Sequence, residues 1–327
     1  MIKIKKSALI CFALLASTFY AVAQQDAQYS QYMFNTLVIN PAYAGYKGSL
    51  NLSALHRSQW VGVTGAPKTQ SLVLDGSFVS DKVGLALTVV NDKIGLQGQT
   101  NAYFNYAYKL KVSGEGTLAF GLGLGLAQFT LNNGDAHFDD PSDPNFNGGK
   151  LSFIAPDARA GVHFSTDKFY AGLSATNLFS KAIDYSTAAK NLVIKQGQTF
   201  FLTAGYLVDV NDFLKFKPSF LIKEDTKGPT NLDVNNFFLL GEKVWVGASY
   251  RTSLNVWKKK STVGAVKASD AVVGLVEVYA GKGFRVGYAY DYSVSALQGF
   301  DNGSHEISIG YTFGGKKEYR ILSPRYF

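Results

Sequence analysis

Residues 118–126 read LAFGLGLGL, from Leu118 to Leu126, and their period is two. Leu and Phe stand at the even positions, with Ala119, Gly121, Gly123 and Gly125 between them. Successive side chains of a β-strand point to opposite faces of the sheet. One face here therefore suits hydrocarbon, and the other is almost bare. A phosphate-binding loop is a poor reading of these glycines, because such a loop needs glycines that follow a strand and open a helix. Glycines alternating inside one strand instead let something approach the backbone closely. A second stretch, FRVGYAYDY from Phe284 to Tyr292, repeats the pattern, with aromatic residues on one face and Arg285, Gly287, Ala289 and Asp291 on the other.

Extending this reading in both directions gives about fourteen strands between residues 49 and 313, most of about 9–12 residues, the length a tilted membrane strand requires. Among them are strands near 82–91, 99–111 and 157–166. Every second connection is short: Ser80-Asp81, Val112 to Glu115, Asp167, Asn211-Asp212, Gly241 and Gly281. The intervening connections are longer, the largest near 132–156, 178–197 and 253–270. The expected fold class is all-β: a transmembrane up-and-down antiparallel β-barrel with tight periplasmic turns and long outer loops. Closure follows from the solvent, since no water in a bilayer can satisfy the backbone groups of an open sheet edge.

Composition points the same way. Charged residues make up only 17% of the chain, against about 25% in soluble domains. Phe (24), Tyr (19) and Gly (33) are abundant, as expected of a wall that faces lipid. The formal charge of +8 is spread too evenly for a nucleic-acid stripe, so nucleic acid is not an expected partner. After residue 23 no run approaches 18 consecutive apolar residues, so no membrane-spanning helix is expected.

Four regions follow. Residues 1–23 read as a secretory signal peptide, with Lys3, Lys5 and Lys6, an apolar stretch from Ala8 to Tyr20, and an Ala21-Val22-Ala23 cleavage site. Residues 24–48 form an N-terminal arm, periplasmic or inserted in the lumen. Residues 49–313 form the outer-membrane barrel, and 314–327 a short basic-aromatic C-terminal tail. The single cysteine, Cys11, lies in the leader, and Ile10 before it is too large for a lipoprotein site. The exported chain then has no thiol for a disulfide, catalysis or a metal.

The arm and the start of the barrel resemble a known family. Asp26 to Gly45 reads DAQYSQYMFNTLVINPAYAG; His56 to Gly62 reads HRSQWVG and is followed by Gly65-Ala66-Pro67. Together these are similar to the N-terminal signature of the PorP/SprF family of type IX secretion system membrane proteins. Asp143-Pro144-Asn145-Phe146 and HEISIGY from His305 to Tyr311 are similar to it as well. The resemblance implies an outer-membrane barrel that works with the secretion and gliding machinery, tying periplasmic components to the membrane, handling a large secreted surface adhesin, or both.

The residues singled out for partner binding or for plugging the barrel are Gln31, Tyr32, Met33, Asn35, Asn40, Pro41, Tyr43 and Gly45 in the arm, with Arg57, Gln59 and Trp60 where the first strand enters its loop. Trp, Tyr and Arg dominate binding hot spots, but the same residues also anchor barrels at the membrane interface. Aromatic residues on an arm outside the membrane must cover themselves against the barrel interior or a partner. Arg159, Arg251, Arg285 and Asp291 fall on inward faces, where few charges among many small and aromatic residues argue for a filled interior. The rival function is a channel or transporter for small solutes or lipids, which needs an open lumen with charged constrictions.

No enzyme and no cofactor is expected. His163 and Ser165 share a face, but no Gly-x-Ser-x-Gly elbow accompanies them, and the four histidines show no metal-ligand spacing. The oxygen-rich segment from Asp139 to Asn147 lacks the spacing and closing Glu of an EF-hand, and reads more simply as a surface loop than as a calcium site.

Overall fold

Antiparallel pairing runs around the chain and closes on itself in the computed structural model, which describes residues 27–114, 116–132, 149–180, 197–226, 229–254, 269–281, 283–295 and 297–314. In chain order the strands are β1 (Leu50–Ser58), β2 (Lys68–Phe78), β3 (Val83–Ile94), β4 (Gln97–Ser113), β5 (Gly116–Asn132), β6 (Lys150–Ser165), β7 (Phe169–Thr176) and β8 (Thr199–Tyr206). They continue with β9 (Val208–Asp209), β10 (Leu214–Asp225), β11 (Thr230–Leu240), β12 (Val244–Leu254), β13 (Ser269–Tyr279), β14 (Phe284–Ser293) and β15 (Ser304–Phe313). Strands pair in sequence order, except that β8 and β9 both pair with β10, and the ring closes where β15 pairs with β1, from Leu50 opposite Phe313 to Ser58 opposite His305. The barrel has fourteen staves, because β8 and β9 belong to one. The break between them lies opposite Lys217 and Pro218 of β10. Proline has no N–H to give to a ladder, and Leu207 turns its own N–H the other way, to Lys168 O at 2.7 Å. Among the described residues no helix is long and apolar enough to cross a membrane.

The two faces of each stave follow the two-residue period. Along β5, Phe120, Leu122, Leu124 and Leu126 are exposed on the outside, while Ala119, Gly121, Gly123 and Ala127 face inward and are buried. Leu72 and Leu74 on β2, Leu87 on β3, and Phe104, Tyr106 and Tyr108 on β4 continue the outer apolar belt. The inner faces carry Arg57, Arg159, Arg251, Arg285 and Asp291, all buried.

The alternation of short and long connections is less strict than the sequence suggests. Only 95–96 separate β3 from β4 at the long-loop end, and only 226–229 separate β10 from β11. β6 begins at Lys150, not near 157. β3 and β4 continue past the apolar belt with polar residues such as Asp92, Gln97 and Gln99, so their hydropathy pattern fades while backbone pairing persists. β4 and β5 have 17 residues each, roughly 55 Å of extended chain, well beyond the 9–11 residues a bilayer needs. Pro156 is tolerated inside β6 because it pairs there with β5 alone, β7 joining only from Ala160 onward.

At the short-turn end, Gly241 and Glu242 both take left-handed φ, +53° and +58°, the geometry a tight hairpin needs to match strand twist. The leader (1–23), the Asp139–Asn147 loop with His137, and the tail beyond Gly314 lie outside the described residues.

Candidate functional site: an arm inside the barrel

Fourteen strands enclose more space than strand side chains alone fill. Here the remainder is occupied by residues 27–48, whose side chains from Tyr29 to Tyr43 are buried with inward residues of the wall in one hydrophobic core. The arm enters at the long-loop end and leaves at the short-turn end, where β1 begins. It is built from two single 3-10 turns, Thr36–Val38 and Pro41–Tyr43. Asn40 caps the second: its Oδ1 accepts from Ala42 N at 2.9 Å, and Pro41 supplies the preset first position. The same Asn40 gives its Nδ2 to Val162 O of β6 at 3.2 Å, so one side chain both shapes the arm and ties it to the wall.

At the long-loop end the fastening is ionic. Arg57 of β1 lies 2.7 Å from Asp291 and 3.1 Å from Glu306; Arg251 of β12 lies 3.0 Å from Asp233 and 3.3 Å from Asp291. All are buried, Arg57 at 1% exposure and Glu306 at 0%. Buried charges persist only where geometry and hydrogen bonds compensate their desolvation. Two guanidinium groups face three carboxylates, and the arm supplies what is missing. The backbone N–H groups of Ser30 and Gln31 both donate to the Glu306 carboxylate, at 2.9 and 2.7 Å. Ser30 Oγ donates to Asp291 at 2.8 Å, and Arg251 donates to Tyr29 O at 3.3 Å. Gln31 completes the seat, donating to Glu306 O at 3.1 Å and accepting from Ser308 Oγ at 2.7 Å.

Midway down, the contacts are neutral or single. Asn235 donates to Tyr32 Oη at 2.7 Å, Ser174 donates to Ile39 O at 2.7 Å, and Asn35 donates to Ser71 at 3.4 Å. Arg159 stacks over Tyr103 at 4.5 Å, bonds Asn105 and Thr88, and reaches Val38 O at 3.4 Å. Phe34 packs at 6.2 Å against Trp245, a fully buried residue of β12. Burial holds the phenols of Tyr32 and Tyr43 well above their ordinary values, so both stay neutral.

At the short-turn end the arm lies directly on glycine. A Cβ at Gly121 would collide with Pro41 and Ala42, one at Gly161 with the Asn40 carboxamide, and one at Gly84 with the Ala44 carbonyl. Gly45 has φ +64° and passes against Gly76 and Gly84, a position open only to glycine on both counts. Lys109 Nζ donates to Gly45 O at 2.7 Å. With Arg57 of β1 also donating to Ser30 Oγ at 2.9 Å, the arm touches β1–β7, β11, β12, β14 and β15, which is possible only from within the ring.

Of the residues singled out in the sequence, Gln31, Tyr32, Met33, Asn35, Asn40, Pro41, Tyr43 and Gly45 all lie buried in the lumen, and Arg57 meets them there as part of the ion-pair network. Arg57 is thus no interfacial anchor, because its odd position turns it inward. Gln59 and the half-buried Trp60 stand apart, on the wall of a vestibule of about 360 Å³ at the long-loop end. Gln28, Arg57, Arg251 and Asp291 line the same vestibule deeper down. Sequence reasoning missed Asp233, Glu277 and Lys217 as inward charges; their signal is a charge at one odd position among apolar neighbours, as in Val276-Glu277-Val278.

His163 is packed edge-on against Tyr43 and Tyr46 and parallel to Tyr170, and its Nε2 has no hydrogen-bond partner among the described residues. No bond joins it to Ser165, so these two residues do not form a nucleophile–base pair in this structure. Among the described residues no group of three or more His, Cys, Asp or Glu could hold a metal ion.

The chain matches the model of the family described as type IX secretion system membrane protein PorP/SprF over residues 21–311. No curated protein sequence matches. Similar solved structures include the outer membrane protein Omp33 of Acinetobacter baumannii, at 7% identity and TM-score 0.45, covering 81% of this chain and 98% of that one. A Pseudomonas aeruginosa FadL homologue is similar at 11% identity and TM-score 0.44, covering 86% of this chain and 94% of that one. The KdgM porin is similar at 9% identity and TM-score 0.36, covering 81% and 99%. At such identities and TM-scores these likenesses say nothing about function.

Proposed function

Because the chain belongs to the PorP/SprF family of type IX secretion system membrane proteins, we propose that it is a non-enzymatic outer-membrane docking component of that system. It holds periplasmic machinery, a secreted surface protein, or both, and passes no solute of its own. The observation that carries this reading is the filled lumen. A channel for small solutes or lipids needs a continuous open path, and here the arm occupies that path from Tyr29 to Gly45. The arm's aromatic residues are spent on the wall of their own barrel, so docking falls to the two rims. At the outer rim, loops 59–67 and 297–303 are zipped together, Val61 N donating to Gly303 O at 2.9 Å and Asn302 N to Val61 O at 2.8 Å. This ledge presents Phe300, 79% exposed, and carries the exposed Val61 and Val63 as well. Exposed apolar residues on a braced ledge suit a protein partner. At the opposite rim the tight turns offer Val79, Val210 and Phe213.

The test is affinity capture of the full chain from cross-linked native membranes, beside Phe300→Ser. The reading expects the variant to lose a secreted surface partner by about tenfold or more, a hot-spot-sized effect, while keeping a heat-modifiable barrel and its periplasmic partners. Identical partners from both proteins would remove the ledge from the account. Steady large conductance of the intact protein would favour the channel.

A further inference from the structure

The outer wall of β15, β1, β2 and β3 carries three stacked rows that no part of the lumen or the docking reading uses. The lowest row is apolar and dented. Ala54 lies in register between Ile309 of β15 and Leu72 of β2, with Val89 of β3 next, and its small side chain floors a recess of about 470 Å³ on the lipid side. Two residues nearer the long-loop end, about 7 Å along the strand, the row becomes polar: His56, Gln70 and Asn91 stand side by side, all outward and exposed. Gln70 lies 3.5 Å from His56, and Asn91 accepts from Thr100 at 2.9 Å. Two residues further still, Lys68 and Lys93 occupy directly opposed positions on the same face.

Like charges directly opposite across a strand pair destabilise each other. Neither lysine has an acidic partner among the described residues, and the outward positions of β1, β2, β3 and β4 carry no carboxylate at all. The long-loop end is the outer end of such barrels, so the rows run from the hydrocarbon to the outer headgroup layer. Hydrocarbon recess, hydrogen-bonding row and unpaired cation pair, in that order, match the profile of an anionic amphiphile lying along the wall.

We propose that this strip is a binding site for one phosphorylated glycolipid of the outer leaflet. Its acyl chain lies in the recess over Ala54, its sugar hydroxyls meet His56, Gln70 and Asn91, and a phosphate bridges Lys68 and Lys93. The amide and imidazole row selects sugar over a bare phosphodiester headgroup, and the lysine pair selects phosphate over an uncharged sugar.

The test is native mass spectrometry of the full-length protein in detergent, titrated with a diphosphorylated glycolipid, the same lipid without phosphate, and phosphatidylglycerol. The site predicts one equivalent of the phosphorylated glycolipid, with at least about tenfold weaker retention of the other two. Lys68→Gln with Lys93→Gln, on the rim and outside every packed contact, should lose the phosphorylated lipid by a similar factor. Ala54→Phe, which fills the recess, should weaken both glycolipids together. Equal retention of all three lipids by the natural protein, or unchanged binding by the double variant, would overturn the proposal.

Discussion

The two ends of the arm are held by opposite means. At the long-loop end Ser30 and Gln31 complete a buried ion-pair network, and the fastening is a handful of directional, charge-assisted bonds. At the short-turn end residues Pro41 to Gly45 rest on Gly84, Gly121 and Gly161, and beside a single Lys109 bond to Gly45 O the fastening is fit, with no space for one added carbon. The first kind is strong but depends on a few groups; remove one, and another buried charge is stranded. The second is spread over many weak contacts and fails mainly when something is added. An arm pinned by charge at one end and by shape at the other is a fixed part of the barrel, and its register in the lumen is set twice.

This contrast can be broken from either end. Asp291→Ala should do most harm, because Asp291 accepts from Arg57, Arg251 and Ser30 together. A loss of about 3–5 kcal/mol is expected for a buried pair deprived of one partner, read as a lower urea midpoint for the heat-modifiable form. Gly84→Ala should cost less, about 1–3 kcal/mol for overpacking, since its added Cβ meets the Ala44 carbonyl. Gly274→Ala serves as its control, having nothing within reach of a Cβ, and should leave the midpoint unchanged. Equal shifts for the two glycine variants would show that the tight seat is not where the energy lies. Ser174→Ala, which removes one neutral bond to Ile39 O, should shift stability least, by about 1 kcal/mol.

Where the alternation is strong, which residues face inward was legible in the sequence. The alternation in LAFGLGLGL and FRVGYAYDY places Gly121 and Asp291 on the same side of the wall, and the structure has both there. Which inward residues meet was not legible. Arg57 finds partners 234 and 249 residues away, a choice made by barrel closure and register, to which local periodicity is blind. The true height of the wall was also hidden. Period-two patterning survives only where one face meets lipid, so the polar ends of β3 and β4 around Asp92 and Gln97 read as loop; the first residues of β6, 150–156, read as loop too. The arm's location stayed open for a further reason: Tyr32 and Tyr43 need burial, but any apolar surface would satisfy that need. The sequence sign that favoured the lumen was the bare inner face of β5, where missing side chains left space for a second segment.

Conductance across planar lipid bilayers tests the occupied lumen most directly. The intact protein should give no steady open pore, and a variant lacking residues 24–48 should give a large and stable one while remaining heat-modifiable. Steady conductance through the intact protein, unchanged when the arm is deleted, would mean that the arm does not close the barrel.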